Sequence, residues 1–464
     1  MAKVISQETF DGVVQENIVD FSMSPVEAKE ETIKQFEAQG INLANIIKDL
    51  QINEETGRPM ITEAIDALKL HISGEKKLPV EEEVEELQVL ESECKKSIPH
   101  RVFAAKLGAN NILVTIVENQ LTNERNKEVL IASLQSFNAL LNKQPDLFDA
   151  ESLSLIIKII QEFKENFKIL SLSLQWLAKS CIMHETNRQN IVGADIMTYL
   201  KPLVGIKDDV IIRDLCACFR YLILDDDIRV EFGKAHEHAR IIASCVLVEL
   251  TQLLPEYEDP TLLSDMILTI ASLAVRQELC VVVEDANGLE YLFDSMKKHP
   301  DHAKLMKEGL KLLRALAGND TTKVHIVQKG AAPVVQNILL NHRENEQVAG
   351  HALACISTLT LRVKDNSTAF FEAGVVENIA DVMALHPKSK NVQRNAAWAI
   401  RNMVSRSRDQ CESFLSHGVE DLLNQAMTDH PSVIQDVKAA LRDLGCKVHL
   451  KEEWTGTAEK VISK

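Results

Sequence analysis

The chain has 464 residues, 45% hydrophobic and 26% charged, with only 12 Pro and 17 Gly, an ordinary globular balance. Its 51 basic and 68 acidic side chains leave a formal charge of −17, which argues against nonspecific nucleic-acid or anionic-membrane binding as the main activity, because both need a positive field. No apolar run of about 18 residues reads as a membrane span, and the opening MAKVISQETFDG has neither the apolar stretch nor the cleavage site of a signal peptide. None of the nine cysteines forms a CxxC pair, and the two in Cys216-Ala217-Cys218 point to different sides of a helix. Most lie in apolar helical stretches (Cys181, Cys245, Cys355), so free thiols in a reducing compartment are expected: cytoplasm, nucleus or both.

In chain order, residues 5–39 predict two amphipathic helices. Phe10, Val14, Ile18 and Phe21 fall on one face of the first. Ser24-Pro25-Val26-Glu27 opens the second: serine caps, proline takes the first helical position and Glu27 closes a capping box. Gly40 reads as its stop. The pair is expected to cover the apolar face of the first repeat, with partner binding as the alternative. Two shorter helical patterns at 42–70, broken at Gly57-Arg58-Pro59, complete a helical cap region at 1–70. Residues 71–97 then read as a flexible linker running into an acidic helix, with Glu81-Glu82-Glu83-Val84-Glu85-Glu86 as its solvated face.

From 98 to 446 the chain says the same thing repeatedly. DANGLEYLFDSMKKHP starts at 285, QKGAAPVVQNILLNHR at 328, EAGVVENIADVMALHP at 372 and SHGVEDLLNQAMTDHP at 416. Their glycines, Gly288, Gly330, Gly374 and Gly418, are spaced by 42, 44 and 44 residues. Earlier markers at Gly108, Ala150, Gly193 and Gly233 bring the count to eight units. The interval from Gly233 to Gly288 is long, which places an insertion of about a dozen residues near LLPEYEDP at 253–260. Within a unit a short helix precedes the marker (324–328, 411–415), a second follows it (419–427), and a longer third follows a His-Pro turn (392–404). The glycine serves the tight turn between the first two helices. His299, His342, His386 and His430 share one inter-helix turn and read as structural, set against a helix dipole. Residues 447–464 read as a polar tail.

A fixed period of about 40–47 residues holding only helical patterns is the signature of armadillo or HEAT arrays. The short–medium–long pattern with a glycine between the first two helices resembles the armadillo repeat. The block SQETFDGVVQENIVDFSMSPVEAKEETIKQFEAQG followed by the repeats resembles an armadillo-repeat family member over nearly the whole chain. That resemblance implies an all-α fold, an armadillo-type right-handed superhelical solenoid of about eight three-helix repeats, with no assigned enzymatic activity. It also implies a concave groove, lined by third helices, that holds extended peptides. In importin-α-like members the groove carries a tryptophan and an asparagine four residues apart in successive units. NAAWAIRNMVS supplies Trp398 and Asn402 at that spacing, on one helix face. The ladder is absent here: one unit earlier the matching residues are Ala354 and Thr358, and two units earlier Lys311 and Ala315.

Lys307, Lys311, His351, Thr358, Arg394, Trp398 and Asn402 form the candidate groove, suited to an acidic or phosphorylated extended segment. His184-Glu185 and His236-Glu237-His238 lack the second histidine of HExxH, and no P-loop, GxSxG or GxGxxG is present. Asp225-Asp226-Asp227 reads as a polar inter-repeat loop without the spacing of a calcium site. His236 and His238 are candidate modification sites: they resemble the His-x-His sites of a class of protein-histidine methyltransferases, although Glu237 departs from the small residues that such sites prefer. No enzyme activity, cofactor or metal is expected. The expected function is a non-enzymatic scaffold for protein partners, with an importin-α-like cargo adaptor as the alternative.

Overall fold

The computed structural model describes residues 3–53, 55–56 and 58–448. Most of the expected tail, from residue 449 on, lies outside the described residues. Among those described the regular elements are helices; the only extended pairings are isolated bridges of Lys3 with Ile41 and Ile52 with Pro59. The chain divides into two units, Met1–His238 and Ala239–Lys464.

In the first unit, α1 (Gln7–Phe21) and α2 (Pro25–Ala38) form a hairpin. Ser24 makes the expected capping box with Glu27, and Pro25 takes the first turn. Phe10 and Phe36 meet at 6.2 Å and gather Leu43 and Ile46 into a small core of their own. Buried Asn17 donates to Thr32 Oγ1 at 2.9 Å and ties the two helices together. Phe21, expected on the buried face, is 67% exposed, because α1 ends there and Ser22 turns the chain away at φ 52°.

The segment expected as a linker and solvated helix is the start of the array. α3 (Met60–Ile72) packs on α4 (Val80–Lys96), and α4 lies along α7 (Lys127–Leu140). The acidic sequence of α4 hides a stripe at helical spacing: Leu87, Leu90 and Cys94 are fully buried and Glu83 nearly so. Ser136 of α7 donates to Leu87 O at 2.8 Å across the contact. The solenoid therefore begins at about residue 60 rather than at 98, and only 73–79 connect α3 to α4. The remaining elements of this unit are α5 (Ile98–Lys106), α6 (Ala109–Asn119), α8 (Ala150–Glu162), α9 (Phe167–Ser180), α10 (Glu185–Gly193), the short α11 (Met197–Leu200) and α12 (Asp209–Leu222). α13 (Ala235–Gln252) follows a helix-free stretch at 223–234.

The second unit is the most regular. After α14 (Pro260–Leu273) come three full triplets: α15 (Gln277–Asp285), α16 (Gly288–Lys298), α17 (Ala303–Leu316); α18 (Asp320–Gln328), α19 (Ala331–Asn341), α20 (Glu346–Thr360); α21 (Lys364–Glu372), α22 (Val375–Leu385), α23 (Lys390–Val404). A last triplet is α24 (Cys411–Ser416), α25 (Val419–Asp429) and α26 (Ile434–Leu444). Third helices pack on third helices, α4–α7–α9–α12 in the first unit and α14–α17–α20–α23–α26 in the second. Each of these from α7 to α23 begins with a side-chain cap, from Asn126, Asn166, Asp208, Asp259, His302, Asn345 and Ser389 in turn. The extra residues expected near 253–260 are mostly absorbed by α13, which has 18 residues against 11 in α16.

The turn between first and second helices needs a left-handed residue. Gly108, Gly330, Gly374 and Gly418 supply it, with φ of 92°, 96°, 81° and 72°. Elsewhere the markers are displaced: Asn287 (φ 60°) does this work in place of Gly288, and Asp195 (φ 54°) in place of Gly193. Gly233 follows a stretch with no first helix and Ala150 only a 3-10 turn at Pro145–Leu147, so neither marks the left-handed turn. The recurrent histidines sit just past the second helices and bond backward. His342, His386 and His430 donate through Nε2 to Pro300 O, Arg343 O and Pro387 O at 2.7, 2.7 and 2.8 Å, each in the preceding repeat.

Two glycine substitutions separate these roles. Nothing lies within 4 Å of a Cβ placed on Gly330, so Gly330→Ala should cost about 1 kcal/mol through its positive φ alone. At Gly288 a Cβ would lie 2.6 Å from Val283 Cγ1 and 2.7 Å from Val283 O, so Gly288→Ala should cost about 3 kcal/mol. Denaturant midpoints of the two variants check the order; the reverse order would remove the steric account of Gly288.

Candidate functional site

The candidate residues fall on three neighbouring third helices of the second unit, α17, α20 and α23. Each of these helices has an apolar stripe that is buried: Leu305, Leu312 and Leu316 on α17, Val348, Leu353 and Ile356 on α20, Ala396, Ile400 and Met403 on α23. What remains open between the stripes is polar and mainly cationic.

On α17, Lys307 and Lys311 flank Glu308, whose carboxylate is nearly buried. Lys311 holds it at 3.0 Å and Lys307 at 3.6 Å. Lys304 reaches Asp265 of α14 at 2.9 Å. His351 of α20 completes this cluster. Burial pushes its imidazole below the usual histidine range; Lys311, Arg314 and Lys307 push it further down, and Glu308 partly offsets them. A half-buried histidine facing lysine and arginine is held toward its neutral form, and a negative charge placed beside it favours the protonated one.

On α23, the Arg394 guanidinium lies 5.1 Å from the centre of the Trp398 ring. Its Nη2 also donates to Asn391 Oδ1 at 3.2 Å. The Arg394–Trp398 stack is a flat, half-exposed face with a cationic edge.

The other two residues do different work. Asn402 Nδ2 donates to Ser357 O at 2.9 Å and to Ser357 Oγ at 3.0 Å, which joins α23 to α20. Asn395 repeats the device about two turns earlier, on Gly350 O at 2.9 Å. Thr358 Oγ1 donates to Ala354 O within its own helix at 2.9 Å. The structure thus brings Lys307, Lys311 and His351 together, stacks Arg394 on Trp398, and commits the Asn402 amide nitrogen to packing. The same cross-helix device recurs in the first unit: Asn138 donates to Leu172 O at 2.9 Å and Ser171 to Asp214 Oδ2 at 2.6 Å. Asn395 and Arg314 were missed from sequence because one asparagine or arginine on a helix has no distinguishing spacing.

His236 and His238 do not form one site. His236 is exposed, whereas His238 is buried, with Nδ1 3.1 Å from Leu222 O. Among the described residues no group of three or more His, Cys, Asp or Glu is arranged to hold a metal ion. No helix among them is long and apolar enough to cross a membrane.

Two family models match the chain: one described as ARMC6 over residues 61–463, and the armadillo repeat-containing protein 6 N-terminal domain over residues 2–66. Armadillo repeat-containing protein 6 homolog from Drosophila melanogaster is 61% identical over 464 residues, covering all of both chains. Armadillo repeat-containing protein 6 from Homo sapiens is 40% identical, covering 98% of this chain and 93% of its own. Among solved structures, an engineered protein aligns with a TM-score of 0.68 at 16% identity, over 96% of this chain and all of its own. A chain from a structure concerned with a phosphorylation switch in the interaction between cadherin and beta-catenin aligns with a TM-score of 0.60 at 15% identity, over 82% of this chain and 68% of its own. Those two structural likenesses bear on the fold alone.

Removing the Asn402 cross-link tests its packing role. Asn402→Ala is expected to destabilise the protein by about 1 kcal/mol through the lost hydrogen bonds to Ser357. Urea unfolding measures it; an unchanged midpoint would return Asn402 to the open surface.

Proposed function

This chain belongs to the armadillo repeat-containing protein 6 family, and on that premise we propose that it is a protein-interaction scaffold whose ligands lie along the third helices of the second unit. The observation that carries this reading is the strip formed by Lys307, Lys311 and His351 on α17 and α20 and by Arg394 on Trp398 of α23. Lysines give long-range attraction to an acidic or phosphorylated segment. The arginine, already held flat on an indole, loses little freedom when it pairs with a carboxylate or phosphate. The ligand class is therefore an extended acidic or phosphorylated peptide, bound without covalent chemistry.

The alternative of a cargo adaptor for basic nuclear signals has less support. Its asparagine is bonded to Ser357, and the strip carries the same sign of charge as such a signal. For the compartment, the cytoplasm or nucleus fits the nine free cysteines, six of them buried. Burial pushes the Cys94, Cys181 and Cys355 thiols up to about 12.

Fluorescence anisotropy with three labelled peptides of equal length, one phosphorylated and acidic, one acidic and one basic, tests the reading. The phosphorylated peptide should bind most tightly and the basic one least. Lys307→Glu with Lys311→Glu should weaken the acidic peptides at least about tenfold, and Trp398→Ala should weaken them severalfold. Equal binding by wild type and the double lysine variant would sink the proposal.

The pH dependence has a definite sign. The folded pKa of His351 lies below its unfolded value, so in the free protein its protonation opposes folding, and stability falls as pH drops below about 6.5. An acidic ligand favours the protonated form, so affinity should rise as pH falls from 7.5 to 5.5. His351→Gln should flatten that slope; an unchanged slope would show that other groups set it.

A further inference from the structure

Most units place a short helix before the marker turn. Between α12 and α13 the chain instead runs through ILDDDIRVEFGK, residues 223–234, without a helix, and this stretch is pinned rather than loose. Asp226 accepts from Met183 N with both oxygens at 3.1 Å and from Arg188 Nη1 at 2.7 Å. Asp227 accepts from Glu185 N at 2.9 Å and from Arg229 Nε at 2.8 Å. At the far end, Lys234 N donates to Glu185 Oε1 at 2.7 Å. The two residues that receive these anchors, Arg188 and Glu185, are 1% and 2% exposed and bonded to each other at 2.9 Å.

Between the anchors stand the two most exposed large apolar side chains among the described residues, Ile228 at 92% and Phe232 at 82%. Ile228 rides on a turn closed by Val230 N donating to Asp227 O at 3.1 Å. A loose loop would fold such side chains back onto the protein, since burial of each is worth a large apolar area. Here the aspartate contacts on one side and the Lys234 N–H bond to Glu185 on the other fix the backbone, and the side chains stay in water. Around them the exposed carboxylates Asp225, Glu231 and Glu237 outnumber the exposed Lys234, and the Arg229 guanidinium is engaged by Asp227 and Asp146.

We propose that residues 228–232 are a protruding docking element that seats Ile228 and Phe232 in an apolar cleft of a partner protein whose rim carries lysine or arginine. The carboxylates beside the two side chains select that rim. They disfavour a second copy of this chain, which would bring acidic against acidic in a protein of charge −17. This surface and the third-helix strip select opposite charges, so each takes a different class of partner.

The test uses the full chain and a displayed random-peptide library, selected on wild type and counter-selected on an Ile228→Ser, Phe232→Ser double variant. The expected sequences carry apolar residues bordered by lysine or arginine. Each should lose at least about tenfold in affinity on the double variant, and acidic peptides that depend on Lys307 and Lys311 should bind it as before. The thermal midpoint of the variant should stay within about 2 °C of wild type, because exposed side chains contribute little to folding. Three results would each overturn the proposal: no sequence that distinguishes the two baits, distinguishing sequences with acidic borders, or a wild-type dimer by light scattering that becomes monomeric in the variant.

Discussion

A helix of this chain cannot bury its apolar stripe alone, and the third helices solve the problem by packing on one another. Everything else follows from that contact. The stripes of α17, α20 and α23 point into the array, so the polar residues between them are left on a shared face. Their caps, Asn, Asp, His or Ser in turn, fix where each third helix starts and hence which side chains come level with its neighbours. Cross-helix hydrogen bonds such as Asn402 to Ser357 and Asn395 to Gly350 then lock the relative slide of adjacent helices. The polar strip shared by these three helices depends on that lock, because a slide of one turn would part Lys311 from His351.

Polar side chains do two jobs on these helices, and the sequence does not say which. Asn402 and Trp398 stand at a spacing that suggests peptide binding, yet Asn402 bonds to the neighbouring helix and Trp398 stacks under Arg394. The difference lies in what sits one repeat away: Ser357 offers a carbonyl and a hydroxyl to Asn402, information that is 45 residues distant. Lys307, Lys311 and His351 did come together, because residues matched by the repeat period land side by side.

The fold was legible for the same reason. Glycines repeating at 42–44 residues mark a turn that needs positive φ, and Gly330, Gly374 and Gly418 take it, as does the earlier marker Gly108. The misreadings are local. Asn287 assumes the left-handed role beside Gly288, since asparagine also tolerates that conformation and the glycine is needed for close packing on Val283. The acidic run at 81–86 concealed a buried stripe because the charges and the apolar residues interleave on one helix, and mean polarity outweighs periodicity to the eye. The stretch at 223–234 carried a marker glycine but no first helix. Three consecutive aspartates favour turn and cap geometries over a helix interior, and here the second and third, Asp226 and Asp227, anchor the stretch to Met183, Arg188 and Glu185.

The histidine ladder has a mechanical reading. Each of His342, His386 and His430 adds one tie between a repeat and the one before it, beside the packing and cross-links of the third helices. Under tension applied along the chain such ties are loaded one after another rather than together. A repeat that detaches from the end frees only its own 44 or so residues, about 150 Å of slack, while the ties behind it still hold. Because each repeat packs only on its neighbours, the second unit is expected to yield to such force repeat by repeat.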